Sequence, residues 1–178
     1  MRLSKPRSFR IDSVTAPGTG GRIGLCACPG LGTFFAASAR MLEHDLRAIR
    51  EWGAQGLVTL LEQREMDMLE IRHMPSAASC HGLWWRHLPI ADMCAPDQRF
   101  ATRWAVEGEY LRGVLEQNGC FVMHCWAGLG RTGTVAARLL VEFGLDPPAA
   151  ITQVRRARPG SIQSRAQEVY LQRLGKPG

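Results

Sequence analysis

The sequence predicts a single α/β domain with a mainly parallel central sheet flanked by helices. Three observations carry this expectation. Short apolar runs alternate with longer amphipathic segments, the order that builds a parallel sheet. One apolar run passes through a glycine-bearing loop directly into a helical segment, a local shape that places a ligand at the carboxyl end of a strand. The chain has 178 residues, 46% hydrophobic and 21% charged, enough for one sizeable core of ordinary globular composition.

The elements follow in order. Residues 1–21 read as a flexible N-terminal segment ending in APGTGG, and the domain is expected over residues 22–174. Ile23 to Gly30 (IGLCACPG) is a short apolar strand closed by Pro-Gly. Ser38 to Trp52 is a helix with Met41, Leu42, Leu46 and Ile49 on one side, ended by Gly53. Gly56 to Leu61 is a buried strand, Gln63 to His73 a short helix, and Leu83 to Ile90 a third strand carrying the adjacent Trp84 and Trp85. Gln98 to Gln117 is a long helix stopped by Asn118-Gly119. Cys120 to His124 is a strand, and a helix starts near Arg131. Asp146 before two prolines opens another helix, and the last runs from about Ser164 to Leu174.

The loop HCWAGLGRT, His124 to Thr132, carries the chemistry. Gly128 and Gly130 let the backbone curl so that successive N–H groups of Trp126, Ala127, Gly128, Leu129, Gly130 and Arg131 can point at one anion. The helix that follows adds the positive end of its dipole. Arg131 can grip two phosphate oxygens with its planar fork. The same positive field favours negative charge on Cys125, and the thiolate is the nucleophilic form of cysteine. Thr132 can donate a hydrogen bond to that sulfur and help it leave. His124 orients the loop through a backbone contact rather than transferring protons.

The motif resembles the signature of the cysteine-dependent protein tyrosine phosphatase superfamily. The resemblance implies a phosphatase fold, a phosphate-binding loop between strand and helix, and two-step hydrolysis through a phosphocysteine without metal or cofactor. A phosphate ester also needs an acid for its departing oxygen. The segment Leu88 to Asp97 (LPIADMCAPD) offers Asp92 and Asp97, and position alone leaves both open, since Asp97 also suits a helix cap. The segment is similar to the acid loop of the kinase-associated phosphatases, an atypical dual-specificity group, and this places the general acid and base on Asp92. IQSRAQEVYL, Ile162 to Leu171, resembles that group's glutamine-bearing segment and nominates Gln163 and Gln167 to position the hydrolytic water.

Composition sets the remaining bounds. No apolar run approaches the roughly 20 residues that span a bilayer. The basic start, MRLSKPRSFRID, precedes no apolar segment, so no signal peptide is expected and a cytoplasmic location follows. The six cysteines show no zinc-type pairing. The net charge of +6 and the RRAR run at Arg155 to Arg158 read mainly as a solvated helix face with a field suited to a phosphorylated protein partner. No interleaved aromatics accompany these arginines, so nucleic acid is not expected as a partner, nor is a membrane. The expected activity is a protein phosphatase acting on phosphotyrosine and extending to phosphoserine or phosphothreonine. A phosphoinositide or RNA 5′-phosphatase on the same fold is the alternative, opposed by a loop interior without lysine. A non-catalytic phospho-binding module ranks below both, because Cys125, Arg131 and Asp92 are all present.

Overall fold

The computed structural model describes residues 9–32 and 38–174. Its elements are β1 (Asp12–Thr15), β2 (Arg22–Cys26), α1 (Ala39–Glu51), β3 (Gly56–Thr59), α2 (Gln63–Met68), α3 (Met74–Cys80), β4 (Trp84–His87), α4 (Gln98–Glu116), β5 (Cys120–His124), α5 (Gly130–Glu142), α6 (Pro147–Ala157) and α7 (Arg165–Leu174). The strands form one sheet in the order β1-β2-β5-β3-β4. β2, β5, β3 and β4 are parallel, and β1 joins β2 antiparallel. The α/β class and the mainly parallel sheet agree with the sequence expectation.

The apolar run before the reactive loop becomes β5, the central strand. Register then builds the site. His124 stands opposite Cys26 of β2 and Thr59 of β3, so three chain exits share one level at the carboxyl edge of the sheet. α5 packs against β2 and β5 below and against α6 and α7 beside it, which buries residues 130–137 in a continuous run. Side-chain caps fix several helix starts: Ser38 accepts from Met41 N–H, Asp97 from Phe100 N–H and Asp146 from Ala149 N–H.

Four expectations need correction. β1 lies inside the segment read as flexible; its alternating pattern is only four residues long, too short to register in sequence, and residues 1–8 of that segment lie outside the described residues. β2, β3 and β4 end before the apolar runs that predicted them, while Leu60, Leu61, Leu88 and Ile90 stay buried beyond the strand ends. Apolar runs report burial rather than ladder pairing. Gln63 to His73 is not one helix: α2 stops at Met68, Glu70 takes φ 55°, and the unanticipated α3 starts with Pro75 in its first turn. Finally, both tryptophans of β4 are half-buried rather than one in and one out, because this edge strand is only partly covered. Trp84 meets Tyr110 edge-on, and the Trp85 indole N–H donates to the Thr59 hydroxyl at 2.9 Å. Among the described residues no helix is long and apolar enough to cross a membrane.

Candidate active site

Cys125 is the first residue past β5 and is buried. The loop after it turns at Gly128, whose φ is 71°. A side chain there would put its Cβ 2.0 Å from the Cys26 carbonyl oxygen, so the close approach of loop to β2 requires glycine. The N–H groups of Trp126 through Arg131 donate to no other group among the described residues. Unpaired amides concentrated at a helix start are what an anion site needs. Cys26 and Cys28 stand beside the loop with fully buried thiols, and burial pushes both well above the usual thiol range.

Arg131 is the second residue of α5 and its side chain is only 1% exposed. Its two terminal nitrogens donate to Glu65 at 2.6 and 2.9 Å, and Nη1 also donates to the Ile90 carbonyl at 3.1 Å. Nη2 lies 3.1 Å from Asp92 Oδ1. Nε is buried without a partner. Burial alone would lower the Arg131 pKa; the hydrogen bonds and charges of Glu65, with Cys125 and Asp92, outweigh it and raise it, so the guanidinium stays charged. Glu65 is a site residue that sequence reasoning missed. Its only sequence signal is a carboxylate three residues after Glu62 at a helix start: it caps α2 by accepting from Glu62 N–H at 2.8 Å while holding Arg131.

The two candidate acids separate in space. Asp92 is exposed, 66% by side chain, beside Arg131 on the loop after β4. Asp97 caps α4, accepting from Phe100 N–H at 3.0 Å and pairing with Arg99 at 2.8 Å. The Phe100 N–H bond and then Arg99 hold its carboxyl below the usual range.

His124 is fully buried in a directed chain of hydrogen bonds. The Trp85 N–H donates to Thr59 Oγ1, the Thr59 hydroxyl donates to His124 Nε2 at 2.8 Å, and His124 Nδ1–H donates to the Cys125 carbonyl at 3.1 Å. The indole can only donate and the carbonyl can only accept, so the chain fixes one neutral tautomer. Burial, partly opposed by the bond to the Cys125 carbonyl, pushes the His124 pKa down to about 4 from an ordinary 6.5. The unfolded chain therefore binds the extra proton between these values. The contribution to stability is complete above pH 6.5 and is lost as the pH falls toward 4, a loss of about 3 kcal/mol over the window. Urea unfolding at pH 7 and pH 5 checks this: the wild-type difference should shrink by about 2 kcal/mol in His124→Asn. An equal pH dependence in both proteins would remove His124 from the acid response. Thr132 is buried, its hydroxyl unpartnered and therefore not bonded to the Cys125 sulfur.

The segment before α7 folds back over the loop. The side-chain amides of Gln163 and Gln167 lie against Gly130, where an added Cβ would stand 2.8 Å from Gln163 Oε1. Gln167 is fully buried and committed: Oε1 accepts from Gln163 N–H and Ser164 N–H, and Nε2 donates to the Cys94 carbonyl on the Asp92 loop. Gln163 is exposed.

The family model for "Polymorphic toxin system, DSP-PTPase phosphatase" matches residues 31–145. Cyclin-dependent kinase inhibitor 3 of Rattus norvegicus is 30% identical over 152 residues, covering 84% of this chain and 69% of the relative. PRL-1 phosphatase of Drosophila melanogaster is 34% identical over 86 residues, 47% of each chain. Kinase-associated phosphatase with its catalytic cysteine replaced by serine superposes with TM-score 0.80 at 25% identity over 94% of both chains. Tk-PTP in its active form shares the fold, with TM-score 0.66 at 22% identity over 92% of this chain and 95% of that one. A cysteine loop on a central strand, a locked arginine and these relatives converge: the chain belongs to the dual-specificity and tyrosine phosphatase family and is an atypical dual-specificity phosphatase.

Proposed function

We propose that the protein hydrolyses phosphotyrosine, and phosphoserine or phosphothreonine, on a protein partner through a phosphocysteine on Cys125. The observation that carries this reading is the state of Arg131: a buried guanidinium locked by Glu65, with Nε unpaired, six residues past a buried cysteine and in contact with an exposed aspartate. The loop amides of residues 126–131 and Arg131 bind the phosphoryl oxygens. The Cys125 sulfur forms a bond to phosphorus while the ester P–O bond breaks, and Asp92 in its acid form gives its proton to the leaving oxygen. Water then attacks phosphorus, its proton passes to Asp92, and the P–S bond breaks. The Thr132 hydroxyl, unpartnered in the resting site, is free to donate to the sulfur as it departs, and His124 holds the loop through the Cys125 carbonyl. Gln163 positions the water, since the amide of Gln167 is occupied by backbone groups.

The same proposal takes residues 22–174 as the phosphatase domain, extended by β1. It places the protein in the cytoplasm, because the reaction needs reduced Cys125 and the six cysteines are free. A panel of phosphopeptides, phosphoinositides and triphosphorylated RNA tests substrate class; turnover confined to the lipid or RNA arms would replace this reading with the alternative.

Asp92→Ala is expected to slow alkyl phosphates by about 10²–10⁴-fold and aryl phosphates with good leaving groups much less, because a good leaving oxygen needs little protonation. Asp97→Ala should instead cost about 1 kcal/mol of stability by removing a cap, with no leaving-group pattern. The reverse outcome would move the acid to Asp97.

A further inference from the structure

Three consecutive carbonyls of the reactive loop are held from one side. Trp126 O accepts from Cys28 N–H at 2.9 Å. Ala127 O accepts from Arg158 Nη2 at 3.0 Å, and Gly128 O from Arg158 Nε at 2.7 Å. The remaining guanidinium nitrogen, Nη1, pairs with Asp12 Oδ2 of β1 at 2.8 Å, and the two side chains are only 13% and 12% exposed. In a trans peptide the C=O and N–H point in opposite directions. Fixing these carbonyls therefore turns the N–H groups of Ala127, Gly128 and Leu129 away from Cys28 and Arg158. Those three amides belong to the unpaired set at the loop.

Arginine suits this position because its donors sit in one rigid plane; a single lysine ammonium is a compact point charge without the fork. Asp12 sets the plane. Its other oxygen accepts from Arg10 at 2.7 Å, so the carboxylate is itself held in place. β1 is tied to α6 as well, where Gln153 donates to the Thr15 carbonyl at 3.3 Å. The antiparallel edge strand thus reaches the loop through one ion pair.

We propose that Arg158, locked by Asp12, is a positioning residue that sets the direction of the phosphate-binding amides, which makes the N-terminal strand part of the apparatus. The inference rests on the phosphatase reading above, because it concerns amides that meet phosphate. Its test uses the full chain with Arg158→Met, Asp12→Asn and the double variant. Inorganic phosphate affinity is measured by calorimetry, kcat and KM with an aryl phosphate, and Tm separately. Arg158→Met is expected to weaken inorganic phosphate and lower kcat/KM by about 10- to 100-fold, the scale of a small misplacement of binding groups. Asp12→Asn should shift both in the same direction by less, and should add nothing in the Arg158→Met background. Wild-type phosphate affinity and kinetics in folded variants, with only Tm reduced, would overturn the proposal. If Arg158→Met does not fold, Asp12→Asn decides alone, and unchanged phosphate affinity in it overturns the proposal. A wild type that neither binds phosphate nor turns over would sink the phosphatase reading instead, and the inference with it.

Discussion

Cys125→Ser is expected to lower turnover of an aryl phosphate by at least about 10⁴-fold while inorganic phosphate binding stays within about a factor of three. The two halves of this expectation have separate causes. Turnover needs a nucleophile, and a serine hydroxyl without an adjacent base is a far weaker one than a thiolate. Neither His124 nor Asp97 supplies that base: His124 spends both ring nitrogens on Thr59 and the Cys125 carbonyl, and Asp97 caps α4. Binding needs the loop amides and Arg131, whose placement depends on β5, Gly128 and Glu65 rather than on the sulfur. Steady-state kinetics and phosphate calorimetry on the same preparation read both halves. A serine variant retaining a tenth of the wild-type rate would contradict covalent catalysis at this position.

Arg131→Lys is expected to reduce kcat/KM by about 10²–10³-fold and to weaken inorganic phosphate as well. Lysine keeps the charge but loses the planar fork, so it cannot hold Glu65 bidentately and still offer a donor to phosphate. Arg131→Met goes further, leaving a buried carboxylate on Glu65 without its cation, with a stability cost of about 3–5 kcal/mol. Kinetics and urea unfolding of the two variants separate the chemical loss from the structural one. Lysine kinetics equal to wild type would remove the fork from phosphate recognition.

Much of this molecule was legible in its sequence, for identifiable reasons. β5 was read correctly end to end because a continuous apolar run is bounded by Asn118-Gly119 on one side and the loop motif on the other. α4 and α6 were legible partly through Asp97 and Asp146 at their starts, which the structure shows as caps, whereas α1 was legible through apolar residues recurring on one side and its Ser38 cap was not read. The break between α2 and α3 was not legible: Glu70 in a left-handed conformation carries no local signal of the kind that glycine gives.

The site divides the same way. Cys125, Arg131 and their loop are contiguous in sequence, so spacing found them. Glu65, Thr59, Trp85 and Asp12 reach the loop only through sheet register and side-chain reach, at separations of 26 to 146 residues in the contacts they make. No local pattern reports such pairings. The RRAR run shows the limit most plainly. It reads as a solvated helix face, and Arg155 and Arg156 are exposed, yet Arg155 also binds the Ser161 and Ile162 carbonyls and Arg158 turns inward to bind the loop.

The most direct measurement is a rapid-quench experiment with a ³²P-labelled phosphopeptide, followed by peptide mapping under conditions that preserve a phosphothioester. Label on the peptide containing Cys125, formed and lost at rates consistent with turnover, is the result expected. Turnover at full rate with the label passing to water and never to Cys125 would contradict the account.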